Sequence, residues 1–337
     1  MISAMRYKIN VLFTSAGRRV ELLRAFKRAY ADLGLSGHII ATDIDPLAPA
    51  LQEADRPYIV PRLSDPAYIP TLRQICYREQ VHLIFPLIDP DILMLALHRQ
   101  ELEATGARVV VVSEEAATIT ADKWLTYQFF RRIGIPTPHS WLPEHIQDTN
   151  LEYPVFIKPR FGSAGKQAFK AHNESELAFF LDYVPEPIVQ EYLPGPEITN
   201  DVICDFESNV LAIVSRQRIE VRWGEVAKGK TIYDPEIIRH CITIAKGLQA
   251  IGPITVQCML RDGKPYFTEI NARFGGGVPL GIAAGVNSPQ WFLALAAGLS
   301  VDIPPLGSYK VGLYLTRFDD SYFLTEEDYA RVASHRL

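Results

Sequence analysis

The sequence predicts an α/β protein in two parts. A Rossmann-like amino-terminal domain on a parallel sheet comes first, followed by an α+β unit of two subdomains whose strands run antiparallel. Three observations carry this reading. Up to about Val112, short β-rich runs alternate with helical stretches, the rhythm of a parallel sheet with crossover helices. Beyond PGPE at 194–197 the strands lengthen and succeed one another with little helix between them. No repeat, low-complexity tract or Gly/Ser-rich linker separates the parts, so they are expected to pack closely.

The elements follow in order. INVLF, HIIATD, LIFPLI and RVVVVS are the strands of the first part, with the clearest helices over Val20 to Leu33 and Ile69 to Gln80. Near Ala116 the rhythm changes. A helix carrying Asp122, Lys123 and Trp124 runs into GIPTPHSW, whose prolines end it and extend the chain. YPVFIKP then reads as a strand, RFGSAGKQ as a glycine-bearing loop, AFKA as a strand and Glu174 to Tyr183 as a helix that Asn173 or Ser175 can cap. After PIVQEYL come ITNDVICDF, VLAIVSRQRIEVRW, PITVQCML and PYFTEIN, with a helix from Asp234 to Ala250.

At 337 residues the chain has room for two or three domains, and 48% hydrophobic with 22% charged residues is the balance of a soluble globular protein. The net charge of −5 gives no electrostatic reason to expect nucleic acid or an anionic membrane as a partner. Four scattered cysteines without a Cys-x-x-Cys pair indicate neither a disulfide framework nor a zinc knuckle, as expected for a reducing cytoplasm. No apolar run approaches the ~20 residues of a membrane span. Small molecules are the expected partners.

GEVAKGKT (224–231) satisfies the P-loop expression, but Pro235 follows too soon for the helix that such a loop must enter, and Asp234-Pro235 is the better helix start. The match reads as coincidence, with Lys228 and Lys230 left as cations in a loop over a site. TSAGRRVELL has only Gly17 where a dinucleotide fingerprint wants three glycines, even with Asp43 ending the next strand. It is either an anion-binding turn that presents backbone N–H groups and Arg18, or a plain βα turn.

Lys158 ends a strand at Pro159, and the small residues that follow let the loop backbone approach a polyanion. Stronger is YFTEINARFGGG (266–277). In a regular strand Phe267, Glu269 and Asn271 share one face, as Thr255, Gln257 and Met259 do on the strand before. A two-residue hairpin at Asp262-Gly263 would put Gln257 and Glu269 on opposite faces. A three-residue loop, Arg261-Asp262-Gly263, brings Gln257, Glu269 and Asn271 together. Hard oxygen donors with one formal charge suit Mg²⁺ shared with phosphates.

Together, ADKW, IKPRFGSAGKQ, VQEYLPGPE, TVQ and FTEINARFGGG resemble the ATP-grasp superfamily over most of the chain. Within it the chain is most similar to small proteins like the carbamoyl-phosphate synthase large subunit, and its connector is similar to that of D-alanine–D-alanine ligases. The resemblance implies a pre-ATP-grasp domain over 5–115, a lid subdomain with its linking helix over 116–193, a large subdomain over 194–320 and a tail over 321–337. It further implies ATP with Mg²⁺ or Mn²⁺. Lys123 and Lys158 would meet the phosphates, and the loop containing Gly162, Ser163, Ala164 and Gly165 would cover them. Adenine would lie along Gln190, Glu191, Tyr192 and Leu193, with Glu197 on the ribose. Gln257, Glu269 and Asn271 match the metal ligands and Arg273 the cation that steadies the transferred phosphoryl group, so Arg273, Lys158 and Asn271 are the expected catalytic residues. Gln167 stands where relatives carry glycine, and Gln257 where many carry an acid.

The expected reaction is ADP-forming carboxylate–amine ligation through an acyl phosphate. Arg18, Asp43, Asp89, Arg216, Arg218, Arg222 and Lys228 are candidate substrate contacts, and the alternative for each is ordinary surface pairing. Two other readings stand beside it: phosphorylation of carbamate or bicarbonate, and a nucleotide-binding module without turnover. The resemblance admits a homodimer, though no residue demands one.

Overall fold

The computed structural model describes residues 7–146, 149–162, 165, 167–222 and 224–335. The amino-terminal strands β1 (Val11–Thr14), β2 (Ile39–Asp43), β3 (Arg56–Ile59), β4 (Leu83–Pro86) and β5 (Arg108–Val109) form a parallel sheet in the order β3-β2-β1-β4-β5. β1 and β4 are wholly buried, which is why they read as unbroken apolar runs. Between the strands lie α1 (Val20–Leu33), α2 (Pro49–Glu53), α3 (Tyr68–Glu79), α4 (Asp89–Leu97) and α5 (Arg99–Glu103). α1 buries Leu22, Leu23, Phe26 and Tyr30 along one stripe and stops at Gly34, whose φ of +64° suits the left-handed cap.

The expected single helix near Ala116 is two, α6 (Glu114–Ala121) and α7 (Lys123–Arg132). Asp122 breaks them and caps the second by accepting from the backbone N–H groups of Trp124 and Leu125. A four-stranded sheet follows, ordered β6-β9-β7-β8, from β6 (Ser140–Trp141), β7 (Val155–Pro159), β8 (Phe169–Ala171) and β9 (Pro187–Glu191). Helix α8 (Glu174–Tyr183) is capped by Asn173 and covers it.

The largest sheet runs β14-β13-β10-β11-β12-β15 and is antiparallel throughout. Its strands are β10 (Glu197–Cys204), β11 (Val210–Arg222), β12 (Glu225–Ile232), β13 (Pro253–Arg261), β14 (Lys264–Asn271) and β15 (Tyr314–Thr316). Helices α9 (Pro235–Leu248), α10 (Val278–Ala283) and α11 (Ser288–Ala296) pack around it. Among the described residues the arrangement is the predicted one: a parallel sheet, then two antiparallel sheets. No described helix is long and apolar enough to cross a membrane.

Among the contacts that join the parts, an aromatic cluster and a returning helix stand out. Phe274, just past β14, is buried against Phe85 of β4 at 5.3 Å between ring centroids, and it also touches Phe26 and Phe292. Helix α12 (Glu326–Ser334) returns to the first sheet, where the Ile59 N–H on edge strand β3 donates to the His335 carbonyl at 2.9 Å. The Tyr322 hydroxyl donates to Glu53 on the way, at 2.6 Å.

GEVAKGKT is not a loop. It forms β12, paired with β11 on one side and β15 on the other. The Thr231 hydroxyl donates to the Lys310 carbonyl at 2.8 Å, a structural bond that leaves no P-loop geometry.

Candidate active site

The site begins with a hairpin. The predicted three-residue loop is instead a two-residue turn: Arg261 pairs with Lys264, and both Asp262 and Gly263 take positive φ, +53° and +77°. That turn alone would turn Glu269 to the core. A β-bulge restores the geometry, because Cys258 pairs with Phe267 while Gln257 pairs with Glu269, leaving Thr268 as the extra residue. The Phe267 N–H is drawn to the Pro136 carbonyl at 2.8 Å, and its ring is fully buried. Phe267 therefore does not share a face with Glu269, as a regular strand would require. Thr268, Glu269 and Asn271 border the cavity with Gln257 and Met259 of β13.

That cavity, about 840 Å³, lies between the four-stranded and six-stranded sheets. Its opposite wall carries Lys158 and Phe156 of β7, with Lys123 at the start of α7. The Arg160 guanidinium grips the capping Asp122 with two bonds, 2.8 and 2.6 Å, and ties the end of β7 to α7, so both lysines project from one fixed junction. Lys123 Nζ donates to the Gly162 carbonyl at 2.7 Å. Lys158 is only 9% exposed. Burial draws its ammonium down to about 8, against the opposing pull of Glu269 and with a smaller push from Lys123. The Gln190 amide donates to Ser140 Oγ at 2.8 Å and so presents its oxygen to Lys158 Nζ at 3.3 Å.

The connector 190–197 borders the same space through Gln190, Glu191, Tyr192, Leu193 and Glu197. It is pressed against β13: a Cβ on Gly195 would lie 1.5 Å from the Leu260 carbonyl oxygen, which only glycine tolerates. Glu191 spends its carboxylate on Arg261 and on the His139 N–H. Glu197 pairs with Arg218 at 2.5 Å. At the far end Arg273 Nη2 donates to Asp89 at 3.0 Å, while its Nε is buried without a partner.

Gly162 and Gly165 border the cavity with positive φ, whereas Ser163 and Ala164 lie outside the described residues. Among the candidate substrate contacts the structure separates two groups. Arg218 lines the cavity and Asp89 reaches Arg273. Arg216, expected on an arginine-rich lip, is instead 2% exposed and gives two bonds of 2.6 and 2.8 Å to buried Asp201. Arg222 and Lys228 both pair with Glu220, at 2.7 and 2.6 Å, and do not line the cavity. Asp43 accepts from the Gly17 and Asp45 N–H groups and shapes the β1–α1 turn. Arg18 is exposed beside a small recess that neither Lys123 nor Lys158 lines.

Sequence reasoning missed Arg19, Glu225 and Arg317, which crowd Gly276: Arg19 meets Glu225 at 2.7 Å, and Arg317 meets Glu225 at 3.1 Å. Burial lowers Arg19 to about 10. It also missed the apolar wall of Phe156 and Met259. Their spacing, two residues from Lys158 and Gln257 on the same strands, is a signal that could have found it.

Chemically, the cavity has one polar end and one apolar flank, with cations facing an acid and two amides. Among the described residues no group of three or more His, Cys, Asp or Glu side chains could hold a metal ion, so a cation here would depend on amide oxygens and on a ligand's own charge.

This architecture is the ATP-grasp fold, and residues 120–277 match the ATP-grasp domain model. Residues 11–110 match the PylC-like amino-terminal domain, so the chain carries an ATP-grasp domain behind a PylC-like one. It is 29% identical to a D-alanine–D-alanine ligase of Petrotoga mobilis over 60% of this chain and 70% of that protein. It is 28% identical to a carbamoyl-phosphate synthase of Methanobrevibacter smithii over 49% of this chain, covering only 45% of that relative's length. Among solved structures, the biotin carboxylase domain of Hydrogenobacter thermophilus 2-oxoglutarate carboxylase, a dimer crystallised with MgADP, ADP and bicarbonate, superposes with a TM-score of 0.71. The match is at 18% identity over 90% of this chain and 73% of that one.

Proposed function

We propose that the chain is an ATP-dependent, ADP-forming carboxylate–amine ligase of small molecules, acting in the cytoplasm, with the domain limits 5–115, 116–193, 194–320 and 321–337. One observation carries the reading: Gln257, Glu269 and Asn271 gather on one wall of a cavity whose facing wall holds Lys158 and Lys123. The donor set fits Mg²⁺ or Mn²⁺ brought by a nucleotide, since a single carboxylate and two amides are too weakly charged to hold the ion alone. Such an ion would neutralise phosphate charge as it shifts onto the leaving ADP.

The rest is the work of this chain's residues. Lys158, whose hold on its proton burial weakens, would bind that proton more tightly beside a phosphate, and Lys123 adds a second cation. Phe156, Met259 and the 190–193 backbone would hold the adenine, and Glu197, fixed by Arg218, would hold the ribose. Arg273 steadies the phosphoryl group as a substrate carboxylate attacks it. An amine then displaces phosphate from the acyl carbon.

Incubation with MgATP, candidate acids and hydroxylamine tests this: ADP and an acid-dependent hydroxamate are expected. AMP as the product would reject the acyl phosphate. The carbamoyl-phosphate synthase relative favours a second reading, phosphorylation of bicarbonate or carbamate. ADP release that depends on bicarbonate and on no other acid would select it.

A further inference from the structure

The first domain supplies one carboxylate to the pocket's polar end. Asp89 opens α4 directly after β4, at the crevice beside β1 where strand order reverses. Its Oδ2 accepts from Arg273 Nη2 at 3.0 Å. Its Oδ1 lies 2.9 Å from one end of the Asn271 side-chain amide, and Glu269 Oε1 lies 3.3 Å from that same end. Asn271 is 7% exposed, so its amide orientation is set by protein and not by bulk water.

An ionised carboxylate only accepts hydrogen bonds. The amide end facing Asp89 and Glu269 must therefore be the NH₂ group, and the carbonyl oxygen is turned to the opposite side, where donors lie. The two orientations of an asparagine amide have nearly the same shape, and only one offers lone pairs to a cation. We propose that Asp89 is a positioning residue: a single carboxylate from the amino-terminal domain holds the Arg273 guanidinium with one oxygen and fixes the Asn271 amide with the other. The Asn271 oxygen is thereby presented as a metal ligand. The Asp89 contact is shorter than that of Glu269, and Glu269 is itself in the candidate ligand set, so Asp89 carries the orientation. This inference rests on the metal reading above, and it reassigns Asp89 from substrate contact to internal support.

Asp89→Asn preserves shape while placing a donor against Asn271. If the introduced carboxamide gives its oxygen to Arg273, its NH₂ forces the Asn271 oxygen inward and turns the Asn271 NH₂ toward the cation. Mn²⁺ affinity is read by electron paramagnetic resonance with a non-hydrolysable ATP analogue present, and folding by circular dichroism and melting. The expected result is a folded Asp89→Asn variant whose Mn²⁺ affinity falls by about tenfold or more, the usual scale for losing a ligand's support. The double variant Asp89→Asn with Asn271→Asp recovers affinity to within roughly threefold of the original, because a carboxylate can accept from the introduced NH₂ with one oxygen and ligate with the other. Wild-type affinity in the single variant, or no recovery in a folded double variant, overturns the role of Asp89 alone. Failure of the unaltered protein to bind Mn²⁺ with the analogue removes the metal reading and this inference together.

Discussion

Two regions meet at the glycine run 275–277, and each is organised by an arginine. Arg216 is on β11, and Asp201 on neighbouring β10 takes both its Nε and its Nη2. The run packs onto that pair: a Cβ on Gly277 would sit 2.1 Å from Arg216 Nη1, and one on Gly275 would sit 3.1 Å from Asp201 Oδ1. At the pocket end Arg273 has its carboxylate supplied by another domain and shared with Asn271, and its Nε has no partner. Residue type does not separate a structural cation from an available one. What separates them is whether a neighbouring strand already meets its charge.

Substitutions can break this contrast, and the largest effect is expected in the buried pair. Arg216→Met leaves Asp201 charged and unpaired, and it is expected to cost about 3–5 kcal/mol in urea melts, most of which returns when Asp201 is also made apolar. A loss below about 1 kcal/mol in the single variant would show that the pair contributes no more than a surface contact. Arg273→Met should do the reverse, lowering ADP formation about 10²- to 10³-fold while the melting transition moves little. Equal stability losses in the two variants would erase the distinction.

The smallest effect sharpens it. Lys158 has a folded value of about 8 against 10.5. Below pH 8 both states carry the proton and the fold bears the full cost of burying the charge. Between pH 8 and 10.5 the unfolded chain binds more protons, so stability rises with pH, and above 10.5 the cost is gone. Lys158→Met should gain about 1–3 kcal/mol at pH 7 and flatten that rise. Parallel pH profiles for the two proteins would contradict a buried charged lysine.

Much of the fold was legible locally. Helix α1 runs over Val20–Leu33, and α8 over Glu174–Tyr183 behind its Asn173 cap, as periodicity and capping chemistry require. Edge strand β3 was missed because four residues containing a proline give almost no pattern. β12 was read as a loop because glycine and lysine mask a strand whose partners are distant in sequence. The candidate site was legible as a set of residues and not as geometry. The sequence could not specify the bulge at Thr268, since the bond that draws the Phe267 N–H away comes from Pro136. Nor could it say that Asp201 consumes Arg216, because the choice of partner is made by strand register.

The bond from Ile59 to His335 has a consequence for biogenesis. The open rim of the first sheet is closed by a segment translated about 280 residues later, which at ordinary ribosomal speeds is a delay of roughly 15–55 s. During that interval the nascent first domain exposes an unpaired edge of the kind that recruits chaperones or neighbouring nascent chains. Synonymous codons that slow the ribosome between those for Ile59 and His335 would lengthen that exposure without altering a single residue.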